Sequence, residues 1–218
     1  MVTVTQSWDD GILDDVRLVE LIRKHGAKAT FNLNPGRHRL ERYQGGKHKG
    51  HEVWNLSVHD VKALYRGPGL EVASHSVTHP HLERSSPGAL EWELAESRKI
   101  LEDWFQTPVR GFAYPFGSYN DTVKAELRRQ GYAYARTVAN VDTVFPPADP
   151  MEFHPSVHAL NPDFWPAFER AKAANGVFYF WGHSYEILDE PMWQAFEANL
   201  ARLCADPEVR WATNVELF

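Results

Sequence analysis

The sequence predicts an α/β protein, a distorted (β/α) barrel of about seven parallel strands with its helices outside. Two observations carry that prediction. Short apolar, β-branched or aromatic runs alternate with stretches of helical periodicity, as parallel strands joined by helical crossovers require. At 218 residues the chain can bury one sizeable core, yet it is cramped for a full eight-unit barrel of ~250 residues. No repeat, low-complexity tract or Ser/Gly-rich linker divides it, so 1–218 is read as a single domain.

Val2–Trp8 alternates as a strand does. Asp14–His25 then places Val16, Val19, Leu21 and Ile22 at near-helical spacing, and Gly26 closes the helix. Ala29–Leu33 is the second strand. Ser57–Tyr65 reads as a short helix capped by Ser57, and Leu70–Ser74 as the third strand. Pro87–Phe105 is the longest helix, with Ser86 as its cap and Leu90, Leu94, Ile100, Leu101, Trp104 and Phe105 turned inward. Gly111–Ala113, Tyr132–Thr137 and Val177–Trp181 are further strands, and Val209–Ala212 is the last. Helices over Asp121–Gln130, Pro162–Ala174 and Pro191–Cys204 separate or follow them. Residues 34–56 form the longest stretch without periodicity. There Arg37, Arg39, Arg42, Lys47 and Lys49 outnumber Glu41 and Glu52, a net +3. This segment is expected to act as a lid on an anionic part of the substrate.

Composition narrows the function classes. A quarter of the residues are charged and 43% are hydrophobic, which excludes a disordered or fibrous chain. The net charge of −6 argues against a nucleic-acid partner, because phosphate contacts need a cation surplus. Cys204 is the single cysteine, so no intrachain disulfide and no thiolate-only metal site can form. No run approaches the ~18 apolar residues of a membrane span, and the first residues lack a signal-peptide pattern. A cytoplasmic protein is therefore expected.

The barrel rule places reactive groups at the carboxyl ends of the strands. Strand one ends in Ser7-Trp8-Asp9-Asp10-Gly11, and strand three in Ser74-His75-Ser76-Val77-Thr78-His79. The Gly111 strand runs into Tyr114-Pro115-Phe116-Gly117, and the Val177 strand into Trp181-Gly182-His183. Adjacent Asp9 and Asp10 point to opposite sides of an extended chain, so one carboxylate is expected to bind a cation while the other stays free as a base. His75 and His79, four apart, fall on one face if the turn between them is helical. With Asp10 they supply two nitrogens and one oxygen, the open ligand set of a catalytic metal site. Such an ion lowers the pKa of water towards ~7. Tyr114, Phe116 and Tyr185 flank these motifs and are candidates for stacking against a sugar. Glu186, three residues after His183, is a candidate assistant to that histidine.

These residues resemble the motifs of the polysaccharide deacetylase family, the NodB-homology domains of carbohydrate esterase family 4. Ser7–Gly11 resembles the first motif, Thr-Phe-Asp-Asp-Gly, and His75–His79 the second, His-(Ser/Thr)-x-x-His. Ala113–Phe116 resembles the third, Arg-x-Pro-(Tyr/Phe), and Gly182–His183 lies where the last places its histidine. The resemblance implies metal-dependent removal of an acetyl group from an N-acetylated or O-acetylated sugar. By it Asp9 is the general base, Asp10, His75 and His79 hold one divalent ion, and His183 is the general acid. Zn2+ is the expected ion, with Co2+, Ni2+ or Mn2+ as alternatives, and the backbone near Phe116 would help hold the oxyanion. The chain departs from the pattern twice. Ala113 replaces the arginine that pairs with the base, leaving Arg110 and Arg136 as candidates for that role. The fourth motif, Asp-x-x-Asp-Trp, is missing, although Asp142 and Asp149 lie in the right stretch.

Rival readings are a same-fold hydrolase of another C–N bond, such as a cyclic amide or ureide, and a non-haem iron oxygenase built on the two histidines and a carboxylate. A third is a sugar-binding protein that has lost its chemistry. The preferred substrate is an acetylated amino sugar in a small glycoconjugate.

Overall fold

The structure is a computed structural model and describes residues 1–218. Its strands are β1 (Val2–Asp9), β2 (Ala29–Leu33), β3 (Tyr43–His48), β4 (His51–Asn55), β5 (Leu70–Ser74), β6 (Gly111–Ala113), β7 (Tyr134–Arg136), β8 (Val157–His158), β9 (Val177–Gly182) and β10 (Val209–Trp211). Its helices are α1 (Asp15–His25), α2 (Val58–Leu64), α3 (Pro87–Phe105), α4 (Asp121–Arg129), α5 (Phe164–Ala173) and α6 (Glu190–Ala205). Seven strands run in the order β7-β6-β5-β2-β1-β9-β8, every neighbour parallel, and curl into the expected distorted barrel. β10 pairs with the first residues of β1, on the edge that β2 takes further along.

The ring is drawn together between β7 and β9. Phe153 N–H donates to Ala135 O at 2.9 Å and Phe153 O accepts from Thr137 N–H at 3.0 Å, while Ser156 N–H donates to Tyr179 O at 2.7 Å. The segment carrying β8 therefore hydrogen-bonds to both edges, and it sets β7 across the barrel from β1.

The alternation of β1 shows how the layers form. Val2, Val4 and Trp8 face outward into a large apolar cluster with Leu18 and Ile22 of α1 and Phe196 and Leu200 of α6. Trp8 meets Phe196 edge-on at 5.3 Å. Thr5 and Ser7 face the interior, which is polar: Thr5 donates to Asn214 at 2.7 Å, and Ser7 Oγ lies 2.8 Å from Tyr179 Oη. Apolar burial thus occurs mainly between barrel and helices, and the lumen is filled by hydrogen-bonded side chains.

The helices start where the sequence placed their caps. Ser57 accepts from Asp60 N–H in a capping box, and Ser86 accepts from Ala89 N–H. Residues 34–56 are ordered instead as a 3-10 turn (Pro35–Arg37) followed by the antiparallel β3–β4 hairpin. This hairpin and β8 escaped the sequence reading because the first is rich in Gly, His and Lys and the second is two residues long.

Candidate active site

The carboxyl ends of the barrel strands surround a cleft of about 400 Å³ lined by Asp9, Asp10, His75, His79, Phe116 and His183 among others. Asp9 is the last residue of β1. Asp10 follows in the left-handed region (φ 80), which swings its carboxylate back toward the cleft. The strict opposition expected for an extended pair is broken here, and both carboxylates line one cavity.

Asp9 is almost wholly buried. Its Oδ1 accepts from Asn32 Nδ2 at 2.8 Å, and its Oδ2 accepts from Arg136 Nη2. Burial alone would raise its pKa, but Arg136, with His75 and His183 nearby, more than offsets that and holds the carboxyl well below the usual range. Arg136 comes from β7 and is itself fully buried, its guanidinium 4.7 Å from the centroid of the Trp181 ring. Of the two arginines considered, Arg136 is the one that reaches Asp9.

The loop after β5 delivers His75 and His79, and it is not the helical turn expected from their spacing. Left-handed residues at Ser76 (φ 64) and His79 (φ 63) bring the two rings to 4.7 Å instead. His75 Nδ1–H donates to Ala113 O at 2.7 Å, leaving Nε2 bare toward the cleft. Burial disfavours the charged form of both imidazoles and pushes His79 down to about 4. Donor atoms of Asp10, His75 and His79 all lie within 4.8 Å of one another. Two neutral imidazoles and one carboxylate fit a single divalent cation with positions left open. Arg37 Nη1 also reaches Asp10, at 3.4 Å.

His183, just beyond β9, places Nε2 3.8 Å from Asp9 Oδ2. Its backbone N–H donates to Glu186 Oε2 at 3.0 Å, and Nδ1 lies 3.2 Å from the same oxygen. Burial would lower the His183 pKa, but the Glu186 hydrogen bond and the Asp9 charge raise it to about 9. His158 Nε2 lies 2.8 Å from Glu186 Oε2. Leu160 N–H donates to His158 Nδ1 at 3.3 Å, so Nε2 carries the proton and gives it to Glu186. These histidines and Glu186 form a second cluster with metal-like spacing, but that tautomer makes it a hydrogen-bonded relay. Asp142 and Asp149 are elsewhere, paired with Arg170 and with Arg128.

The aromatic candidates separate. Phe116 is more than half exposed, stacked on His81 at 4.1 Å and edge-on to His79 at 4.4 Å. Tyr185 is half-buried against His183 and against His48 of the β3–β4 hairpin. Tyr114 is buried, with its hydroxyl donated to Met151 O, so it offers the cleft only its ring. Trp181, read from the sequence as a strand aromatic of the core, also lines the cleft, as does Val138, which was not singled out. The basic segment disperses: Arg39 lies over the Tyr43 ring, Arg42 pairs with Asp60, and Arg37 borders the Asp10–His75–His79 cluster.

The distorted parallel barrel thus carries an Asp-Asp pair, two convergent histidines and a third histidine at its carboxyl rim. A family profile described as Polysaccharide deacetylase matches residues 2–135. The chain belongs to this family, the NodB-homology domains of carbohydrate esterase family 4. YxkH of Bacillus subtilis, whose name places it among polysaccharide deacetylases, is 26% identical over 127 residues, 58% of this chain and 41% of that protein. The chain spans less than half the length of the curated relatives it matches. The deacetylase PplD of Streptococcus pyogenes, solved with acetate, is 25% identical with a TM-score of 0.57, covering 68% of this chain and 61% of that one. A family 4 pseudoenzyme from Bacillus anthracis shares the fold, with a TM-score of 0.63 at 16% identity, over 99% of this chain and 64% of that one. No helix is long and apolar enough to cross a membrane.

Proposed function

We propose that residues 1–218 form one catalytic domain that removes an acetyl group from an acetylated sugar or glycoconjugate, using one divalent cation, with Zn2+ the preferred ion. The observation that carries this reading is the convergence of Asp10, His75 and His79 beside a separate buried carboxylate, Asp9. When bound, the ion would supply Lewis acidity, acidifying water and polarising the acetyl carbonyl.

The protein's own groups supply the remaining requirements of amide hydrolysis. Asp9 is held ionised by Arg136 and oriented by Asn32, so it can take the proton of the attacking water. His183 is protonated at neutral pH and faces Asp9 across the cleft, where it can hand a proton to the departing nitrogen or oxygen. Glu186 keeps the His183 ring turned with Nε2 toward the substrate. Phe116, Tyr185 and the ring of Tyr114 offer apolar faces for a pyranose.

The test is acetate release across N-acetylated sugars, nucleotide sugars and oligosaccharides, before and after chelation and zinc return. Release that is lost on chelation and restored by zinc is expected. Asp9→Asn should lower kcat by ~10²–10⁴-fold while substrate still binds. A wild-type protein that binds glycans and releases no acetate with any metal would instead be a pseudoenzyme.

A further inference from the structure

The loop 75–79 keeps its shape against its own backbone preferences. Ser76 and His79 both carry side chains and both sit at positive φ, a region that such residues occupy uncommonly. That conformation is what turns the His79 ring toward His75 and Asp10.

The constraint comes from the helix layer. Glu93 of α3 is 5% exposed and directs both carboxylate oxygens at the loop. Its Oε2 accepts from Val77 N–H at 2.7 Å and Thr78 N–H at 2.9 Å, while Oε1 accepts the Thr78 hydroxyl. One turn later Ser97 Oγ meets Ser74 Oγ at 2.7 Å, and Ser74 Oγ accepts from Ser76 N–H at 3.3 Å. From the other side, Asn34 Nδ2 donates to His75 O. A buried carboxylate normally finds a cation. All the hydrogen-bond partners of Glu93 are donors of this loop.

We propose that Glu93 is the positioning residue of the metal-binding loop, holding residues 76–78 in the form that aims His79 and His75 at one point before an ion arrives. The inference rests on the assignment of Asp10, His75 and His79 as ligands. Because the loop is bent in advance, the ion need not supply that ordering, and the effect of Glu93 appears in ion affinity.

Zinc affinity measured by chelator competition tests this on the full chain, with wild type, Glu93→Ala, Glu93→Gln and Asp10→Asn compared. Glu93→Ala should weaken zinc by about 10- to 100-fold. The Val77 and Thr78 amides should also exchange hydrogen faster in the metal-free protein. Glu93→Gln should recover most of the affinity, since its oxygen can still accept both backbone N–H groups. Thr78→Val removes one of the three hydrogen bonds and should weaken zinc several-fold, which keeps the test open if Glu93→Ala does not fold. Wild-type affinity in Glu93→Ala, or in Thr78→Val where Glu93→Ala fails to fold, overturns the proposal if Asp10→Asn binds poorly. Wild-type affinity in Asp10→Asn instead overturns the ligand assignment.

Discussion

Asp9 and His183 face each other at 3.8 Å, yet their surroundings push their proton affinities apart. Arg136 lowers one and Glu186 raises the other, so at neutral pH the pair is a carboxylate beside an imidazolium. The sign of the pH dependence follows. His183 is protonated below about 9, and the acid form is lost as pH rises through that value. Replacing Glu186 by Gln removes the charge that favours the imidazolium. The alkaline limb of the kcat/KM profile should then move down by about one pH unit, since one unit corresponds to ~1.4 kcal/mol of lost charge stabilisation. An unmoved limb would separate Glu186 from the acid.

The turn that carries His183 is tied to α1, the first helix after the Asp-Asp-Gly motif. Asp15, at the start of α1, is fully buried and accepts hydrogen bonds from Ser184 and from Tyr65. Burial dominates these hydrogen bonds and raises its pKa to about 7. Between pH 4 and 7 the folded state therefore holds a proton that the unfolded chain releases, and this group's contribution to stability falls as pH rises through that window. Asp15→Asn lacks the titration. Its stability relative to wild type should climb across the same window by up to ~4 kcal/mol, the upper limit for a shift of about three units. Thermal unfolding at a series of pH values measures the difference, and a flat difference would refute the assignment.

Across the barrel as a whole, the polar lumen joins the two ends of the chain. Asn214 accepts from Thr5, donates to the Tyr179 hydroxyl at 2.7 Å, and donates its backbone N–H to Thr30 at 2.9 Å. Thr30 and Tyr134 both donate to Glu71, a buried carboxyl whose pKa burial raises. Phe218 covers this floor, stacked on Tyr134 at 5.0 Å. Asn214→Ala strands the buried Thr5 hydroxyl and leaves the Tyr179 hydroxyl with Ser7 alone, and should cost ~2 kcal/mol, or about 4–8 °C in Tm. Trp92→Ala, on the exposed face of α3, should move Tm by no more than about 1–2 °C. Equal shifts for the two variants would mean that the lumen network is not what fixes the barrel.

Much of this was legible in the linear chain because it depends on local periodicity and on short motifs at strand ends. The alternation of β1, the caps Ser57 and Ser86, the span of α3 and the Asp-Asp-Gly and His-x-x-x-His pairs are properties of neighbouring residues. The left-handed loop joining His75 to His79 was not legible, since it is held by Glu93 from a helix that begins eight residues beyond His79. Arg136 stood in the sequence as one of two candidates, and only the closed ring, which sets its three-residue strand across from Asp9, 127 positions earlier, chose it over Arg110. Glu186 was legible as a partner of His183 from their spacing, but its second partner, His158, was not, because β8 alone sets that ring beside it. Periodicity and motif spacing are written by residues a turn or two apart, whereas the charge partners of a buried site are chosen by which strands the closed ring brings face to face.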